Sequence, residues 1–310
     1  MQHYWSLDDV YLNDGWLTIG SFDGVHLGHQ AIIANLTAGA HALGVPAIVL
    51  TFHPHPAVIL RNRQGPYYLT SPEERAQLLS DFGVDVVVSH PFNAQVAAKT
   101  AEEFIAYLKE HLGFTHLCVG HDFALGRGRQ GDISTLVNLG KKYGFSLSEL
   151  RPVENAGHVV SSSQIRAALT DGDVRRARSL LGRPYWLQGR VIHGDGRGQT
   201  IGIPTANLEI WAERLVPRSG VYACTVRIDG IEHPAVTNIG VRPTFVERPD
   251  GAWVETHLLN YSADLYDRQL QLNFIERLRD ERRFSGVDAL VEQIHMDIQR
   301  AEEILQQEAS

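Results

Sequence analysis

Two histidines three residues apart, directly behind a glycine-rich turn, are the first side chains in this sequence whose spacing suggests chemistry. They lie in TIGSFDGVHLGH, residues 18–29. A strand-like run, WLTIGSF, ends there. Gly20, Gly24 and Gly28 allow a tight turn, and His26 and His29 fall near the start of the next helical pattern. Helix starts carry unpaired N–H groups and a positive field, which suits phosphate. One helical turn separates the imidazoles, so both can meet the same anion. As donors they would hold a polyphosphate and stabilise charge developing on phosphorus. A metal is the rival ligand, but no nearby cysteine or carboxylate completes an evident zinc set, and HExxH is absent. The Walker A pattern is also absent and HGDGRGQ fails the GxGxxG spacing, so an ATP site here would be of another type.

Other segments offer polar groups that read two ways. Ser161, Ser162 and Ser163 precede a helical pattern containing Arg166. Alone they read as a helix cap followed by a surface charge. HPHP, residues 53–56, reads by itself as a proline-stiffened loop with solvated imidazoles.

The elements that must position these groups follow from periodicity. PAIVLTF, VDVVVSH and THLCVG join WLTIGSF as continuous apolar strand candidates. Between them lie helical patterns, two opening with capping signatures, Ser-x-x-Glu at residue 71 and Thr-x-x-Glu at residue 100. The first begins at His29 and runs to Leu43, with Ile32, Ile33, Leu36 and Ala40 at helical spacing. This alternation predicts an α/β unit, a parallel sheet covered on both faces. Ligands of such sheets sit beyond the carboxyl ends of the strands. Residues 20–23, 51–55 and 120–122 all fall there and should converge on one crevice. SSSQIRAALTDGDVRRARSLLG predicts two further helices ending at Gly182. After RPYW the texture changes to short alternating runs with many turns, which predicts a small antiparallel β barrel or sandwich. A closing amphipathic helix is marked by Val287, Leu290, Ile294, Ile298, Ala301 and Leu305. The boundary is expected near residues 183–186, giving domains 1–183 and 184–310.

Composition narrows the function classes. The 310 residues are 44% hydrophobic and 21% charged, with a net charge of −8 and no basic block. General nucleic-acid binding through phosphate neutralisation is therefore not expected. No apolar run approaches ~18 residues, so no membrane span is expected. The N-terminus has no signal-peptide layout. Cys118 and Cys224, far apart in sequence, read as buried free thiols of a reducing cytoplasm.

GSFDGVHLGH resembles the His-x-Gly-His signature of the nucleotidylyltransferase superfamily, and VSSSQIR, residues 160–166, resembles its second, Ser/Thr-rich signature. With TFHPHP and VGHDFALGRGRQGD, the first half resembles the adenylyltransferase half of bacterial riboflavin kinase/FMN adenylyltransferases, the bifunctional FAD synthetases. GRVIHGDGRGQTIGIPTANL, residues 189–208, resembles the riboflavin kinase signature ending in Pro-Thr-Ala-Asn. VETHLLNY, NIGVRPTF (238–245) and LRDERRF (278–284) match the same family.

The resemblance implies a Rossmann-like nucleotidylyltransferase domain followed by a β-barrel kinase domain. It implies ATP phosphate contacts at Gly20, Ser21, Phe22, Asp23, Gly24, Ser161, Ser162, Ser163, Gly194 and Gly202, with His26, His29 and Arg166 catalytic. It further implies flavin contacts at Asp122, Phe123, Gly126, Arg279 and Glu281, and Mg²⁺–ATP held by Thr205 and Asn207. Kinase chemistry needs a base near the ribityl hydroxyl, and the resemblance puts Glu255 there. An alternating strand would turn Glu255 and His257 to one side. The departures are Leu125 where an aromatic is expected, Ser163 for threonine, His53 at a position often acidic and Gln199 for arginine. The implied partners are small molecules: ATP, riboflavin and FMN, with no nucleic acid or membrane. Two other readings stay open: an adenylyltransferase with another acceptor, and a flavin-binding regulatory protein that has lost turnover.

Overall fold

The computed structural model describes residues 1–63, 65–194, 198, 201–241 and 252–309. Gln199, residues 195–197 of the glycine-rich loop and residues 242–245 of NIGVRPTF lie outside the described residues. The chain forms two compact units, residues 1–64 with 69–162, and residues 65–68 with 163–310.

The first unit alternates strands and helices. Its strands are β1 (Gln2–Tyr4), β2 (Trp16–Ile19), β3 (Ala47–Phe52), β4 (Val86–His90), β5 (His116–Gly120) and β6 (Ser146–Leu150). Its helices are α1 (Leu27–Ala42), α2 (Pro56–Leu60), α3 (Pro72–Asp81), α4 (Ala94–Ala98), α5 (Ala101–Leu112) and α6 (Ile133–Tyr143). The strands make one sheet in the order β1-β4-β3-β2-β5-β6, and every pairing is parallel. All six residues of β3 and all five of β4 are buried, because helices cover both faces. The capping boxes form as read from the sequence: Ser71 with Glu74 opens α3 and Thr100 with Glu103 opens α5. The chain runs from β2 outward through β3 and β4, then crosses to β5 on the other side of β2. That reversal is a topological switch point, and open α/β sheets bind ligands beside it. It lies between the carboxyl end of β2, where GSFDGVHLGH begins, and that of β5, where GHDF begins. A small hairpin, β7 (Glu154–Asn155) with β8 (His158–Val159), follows β6.

The second unit includes α7 (Ser162–Asp171) from Ser163 onward and α8 (Val174–Leu181). The helix pair packs with the barrel: Val174, Ala177, Leu180 and Leu181 are buried, and α8 lies against β9 (Tyr185–Ile192) and β14 (Gln269–Arg279). The other strands are β10 (Ala206–Ile210), β11 (Gly220–Ile228), β12 (Ile231–Val241) and β13 (Ala252–Leu258). They close in the order β10-β13-β12-β11-β14-β9, antiparallel throughout. Closure leaves no unpaired edge. The last helix, α9 (Val287–Ala309), packs Ala301 and Ile304 onto Val221, Ala223, Val236 and Ile275. Val287, assigned to its apolar face from sequence, is exposed at 59%. The buried seam lies nearer the carboxyl end, where the helix crosses β11, β12 and β14.

Candidate functional site

In the first unit the turn between β2 and α1 is strained. Phe22 and Val25 hold φ of 44° and 42°, a region costly for side chains and most of all for a β-branched one. What holds it is visible. The Asp23 carboxylate is fully buried and accepts from the Leu69 amide, the Thr70 amide and the Thr70 hydroxyl, at 3.0 to 3.1 Å. Thr70 Oγ1 in turn accepts from the Gly24 amide. The Asp23 carbonyl accepts from Ser162 Oγ at 2.9 Å, tying the first signature to the second. The Phe22 ring is buried and lies 3.0 Å from where a Cβ on Gly20 would stand. Both side chains therefore shape the turn.

His26 caps α1: its Nδ1 accepts from the His29 amide at 3.3 Å. With that nitrogen serving as acceptor, the proton of the neutral ring belongs on Nε2, which becomes a donor. The His26 and His29 rings stack at 3.6 Å with 16° between planes. Gly28 leaves room for this, since a Cβ there would stand 3.1 Å from His26 Cε1. Among the described residues, no group of three or more His, Cys, Asp or Glu side chains is placed to hold a metal.

The neighbouring strand ends contribute as topology requires. Thr51 at the end of β3 donates to the Ser21 carbonyl at 3.0 Å and accepts from buried Arg75. His55 caps α2 through Nδ1. Beyond β5, Asp122 is exposed, and Phe123 packs partly against the core. Gly126 (φ 76°) abuts α5, where a Cβ would lie 2.6 Å from the Ala101 nitrogen. Leu125 is buried and pairs with Gly131. Ser161 and Ser162 belong to the first unit, Ser163 and Arg166 to the second. Arg166 stacks 3.8 Å over the Tyr67 ring and donates through Nε to the Tyr67 carbonyl.

In the second unit, most of the expected residues converge. A cavity of about 980 Å³ is lined by Gly194, Thr205, Asn207, Glu255, Arg279 and Glu281, among others. Gly202 (φ 76°) shapes the neighbouring turn. Register explains the convergence: Asn207 on β10 and Asn238 on β12 both pair with Glu255 on β13. Gly194 makes room for Asn207, whose Nδ2 would stand 2.1 Å from a Cβ there. Asn207 Oδ1 is buried with no hydrogen-bond partner among the described residues. His257 faces the same cavity and its Nδ1 lies 2.7 Å from the Pro204 carbonyl. Trp253 Nε1 donates to Glu255 Oε1 at 2.6 Å. Arg279 makes a bidentate pair with Asp297 of α9, Nε to Oδ1 and Nη2 to Oδ2, and Glu281 reaches Gly240 of β12. Sequence reading missed Asn238 and Trp253. Strand alternation carried the signal for Trp253, which stands two residues before Glu255 and so on its face.

A parallel sheet with a switch-point turn, followed by a closed barrel with an oxygen-lined cavity, defines a two-unit nucleotide-binding protein. Two family models divide the chain in the same sense: FAD synthetase matches residues 9–164 and riboflavin kinase matches residues 181–305. The bifunctional riboflavin kinase/FMN adenylyltransferase of Pseudomonas fluorescens is 43% identical over 92% of this chain and 91% of its own length. Those of Escherichia coli K12 (40%; 91% and 90%) and Bacillus subtilis (38%; 92% and 90%) are similar. A crystal structure described as a macrolide-efflux protein from Streptococcus pneumoniae superposes with a TM-score of 0.87 at 30% identity, over 97% of this chain and 98% of that one. Only the fold is carried over from it. Among the described residues no helix is long and apolar enough to cross a membrane. The chain belongs to the bifunctional riboflavin kinase/FMN adenylyltransferase family.

Proposed function

We infer that this chain makes FAD in two ATP-dependent steps. The second unit transfers the γ-phosphoryl group of ATP to the ribityl hydroxyl of riboflavin, giving FMN, ADP and a proton. The first unit then lets the FMN phosphate attack the α-phosphorus of another ATP, giving FAD and pyrophosphate. The observation that carries this is that both family models match one chain whose curated relatives align over nine-tenths of their length.

In the adenylylation step no protein nucleophile is needed, because the FMN phosphate is itself the nucleophile. Positioning and donors aimed at developing charge supply the rate. The Nε2 donor of His26 and the stacked ring of His29 suit the ATP phosphates. The signature implies a phosphate role for Arg166, and the resemblance implies the flavin side for Asp122, Phe123 and Gly126.

In the kinase step Glu255 takes the ribityl proton, and Arg279 and Glu281 border the flavin. The donors around Asn207 fit Mg²⁺, because a buried carboxamide oxygen with no hydrogen-bond partner among the described residues shares its cavity with a threonine, and together they offer hard oxygens. Bound by Thr205 and Asn207, the ion would neutralise charge on the ATP phosphates. We assign the protein to the cytoplasm on its two buried free thiols, which suit a reducing compartment.

Incubating the purified chain with riboflavin and Mg-ATP and separating the flavins chromatographically tests this reading. FMN followed by FAD is expected. Bound but unchanged riboflavin would instead favour the regulatory reading, and adenylylation of a different acceptor would favour another nucleotidylyltransferase.

A further inference from the structure

We propose that Trp253 is a positioning residue for riboflavin phosphorylation, holding the Glu255 carboxylate in the orientation that receives the ribityl proton. The inference rests on the reading of Glu255 as the base. On β13 the residues Trp253, Glu255 and His257 alternate with Val254, Thr256 and Leu258, which are buried at 1%, 0% and 6% exposure. The first three therefore share the opposite face, and all three line the cavity.

An indole has a single donor, and here it is directed at Glu255 Oε1 at 2.6 Å, the short distance of a hydrogen bond to a charged acceptor. Cross-strand geometry leaves room for this contact. The residue paired with Trp253 on β12 is Gly240, so no side chain projects from that position. Glu281 occupies that space instead, with its Oε1 2.6 Å from where a Cβ would stand. Glu255 itself lies between Asn207 and Asn238 in the strand register.

A glutamate on a strand has three freely rotating bonds, and fixing them at the moment of reaction slows the step. A bond from Trp253 to Oε1 fixes them beforehand and leaves the second oxygen, Oε2, for the hydroxyl. Misplacing a reacting group by 1 Å can cost about a hundredfold in rate, so such a bond has a large effect to exert.

The test is a double-mutant cycle on the full chain, with Trp253→Phe, Glu255→Gln and both together. Phenylalanine keeps the aromatic bulk and removes only the N–H. Trp253→Phe is expected to lower kcat for riboflavin phosphorylation about tenfold, the effect of losing one hydrogen bond to a charged group. KM for ATP and adenylylation of supplied FMN should stay as in the parent. On the Glu255→Gln background the same substitution should add no further loss. An equal loss on both backgrounds would make Trp253 a general barrel residue and overturn the proposal. A normal Trp253→Phe rate beside an impaired Glu255→Gln rate would overturn it while keeping Glu255 as the base. An unimpaired Glu255→Gln enzyme would remove both. The contact can also be read without turnover: the Trp253 indole N–H resonance in ¹⁵N-edited spectra should move in Glu255→Gln. An unmoved resonance would show the bond absent in solution and would also overturn the proposal.

Discussion

The two units prepare for phosphate chemistry in opposite ways. In the first, the acidic residue of the signature is consumed by the fold: Asp23 accepts three hydrogen bonds and fixes a strained turn. The histidines of the same signature stand at a helix start, where imidazoles can serve as donors. In the second, acidic and amide oxygens face a cavity, and one of them, Asn207 Oδ1, is buried with no hydrogen-bond partner among the described residues. The first arrangement suits anions directly. The second suits anions brought with a cation, and a hydroxyl that must lose a proton. A carboxylate is therefore informative only together with its partners: saturated and buried like Asp23, it is architecture; facing a cavity like Glu255, it is available for chemistry.

That contrast is most sharply broken or upheld by removing one functional group from each unit. Glu255→Ala should lower riboflavin phosphorylation by about a hundredfold or more, the usual scale for a general base, yet spare adenylylation of supplied FMN. Separate assays with riboflavin and with FMN as substrate read both. His29→Ala should do the converse, slowing FAD formation by about a hundredfold while FMN accumulates. Equal loss of both activities in either variant would mean that the sites are not independent.

Smaller changes probe the architecture. Gly28→Ala places a methyl group 3.1 Å from the His26 ring, and should cost FAD formation about tenfold through displacement of that imidazole, with FMN formation unchanged. Comparing the two rates in one incubation checks it. The smallest effect is on stability against pH. Burial holds the imidazoles of His3, His90 and His116 below their ordinary value of 6.5. His90 also accepts the Leu7 amide on Nδ1, which requires that nitrogen to be unprotonated. As pH falls through 6.5 toward the depressed folded values, the unfolded chain binds protons that the folded one does not. Stability of the first unit should therefore fall over that window and be fully present above it. Urea midpoints across the window measure this, and His90→Gln should flatten the dependence.

Much of this was legible in the sequence, and the gaps have physical causes. Buried strands such as β3 and β4 announce themselves as unbroken apolar runs. The outermost strands, β1 and β6, did not, because QHY and SLSEL leave several side chains exposed. Capping by Ser71 and Thr100 was readable because hydroxyl caps are common. Capping by His26 was not, since an imidazole is an unusual cap and its role depends on the stack with His29. The Asp23 lock joins residues 46 apart, a separation that no local pattern encodes. The joining of α8 to the barrel was hidden for the same reason, since its apolar face looks the same whichever sheet it covers. The Glu255 cavity was half legible: alternation along β13 gives its face, but the partners on β10 and β12 depend on register across the barrel.

That register has a consequence for how the barrel can change. Asn207, Glu255 and Asn238 meet because three strands are aligned residue for residue, and the side-chain period of a strand is two. Inserting or deleting one residue in β13 between Trp253 and the turn after Leu258 would turn the downstream half of the strand inside out. A change of two residues would restore its facing and only slide it. Changes of length in this strand should therefore be tolerated in even steps alone.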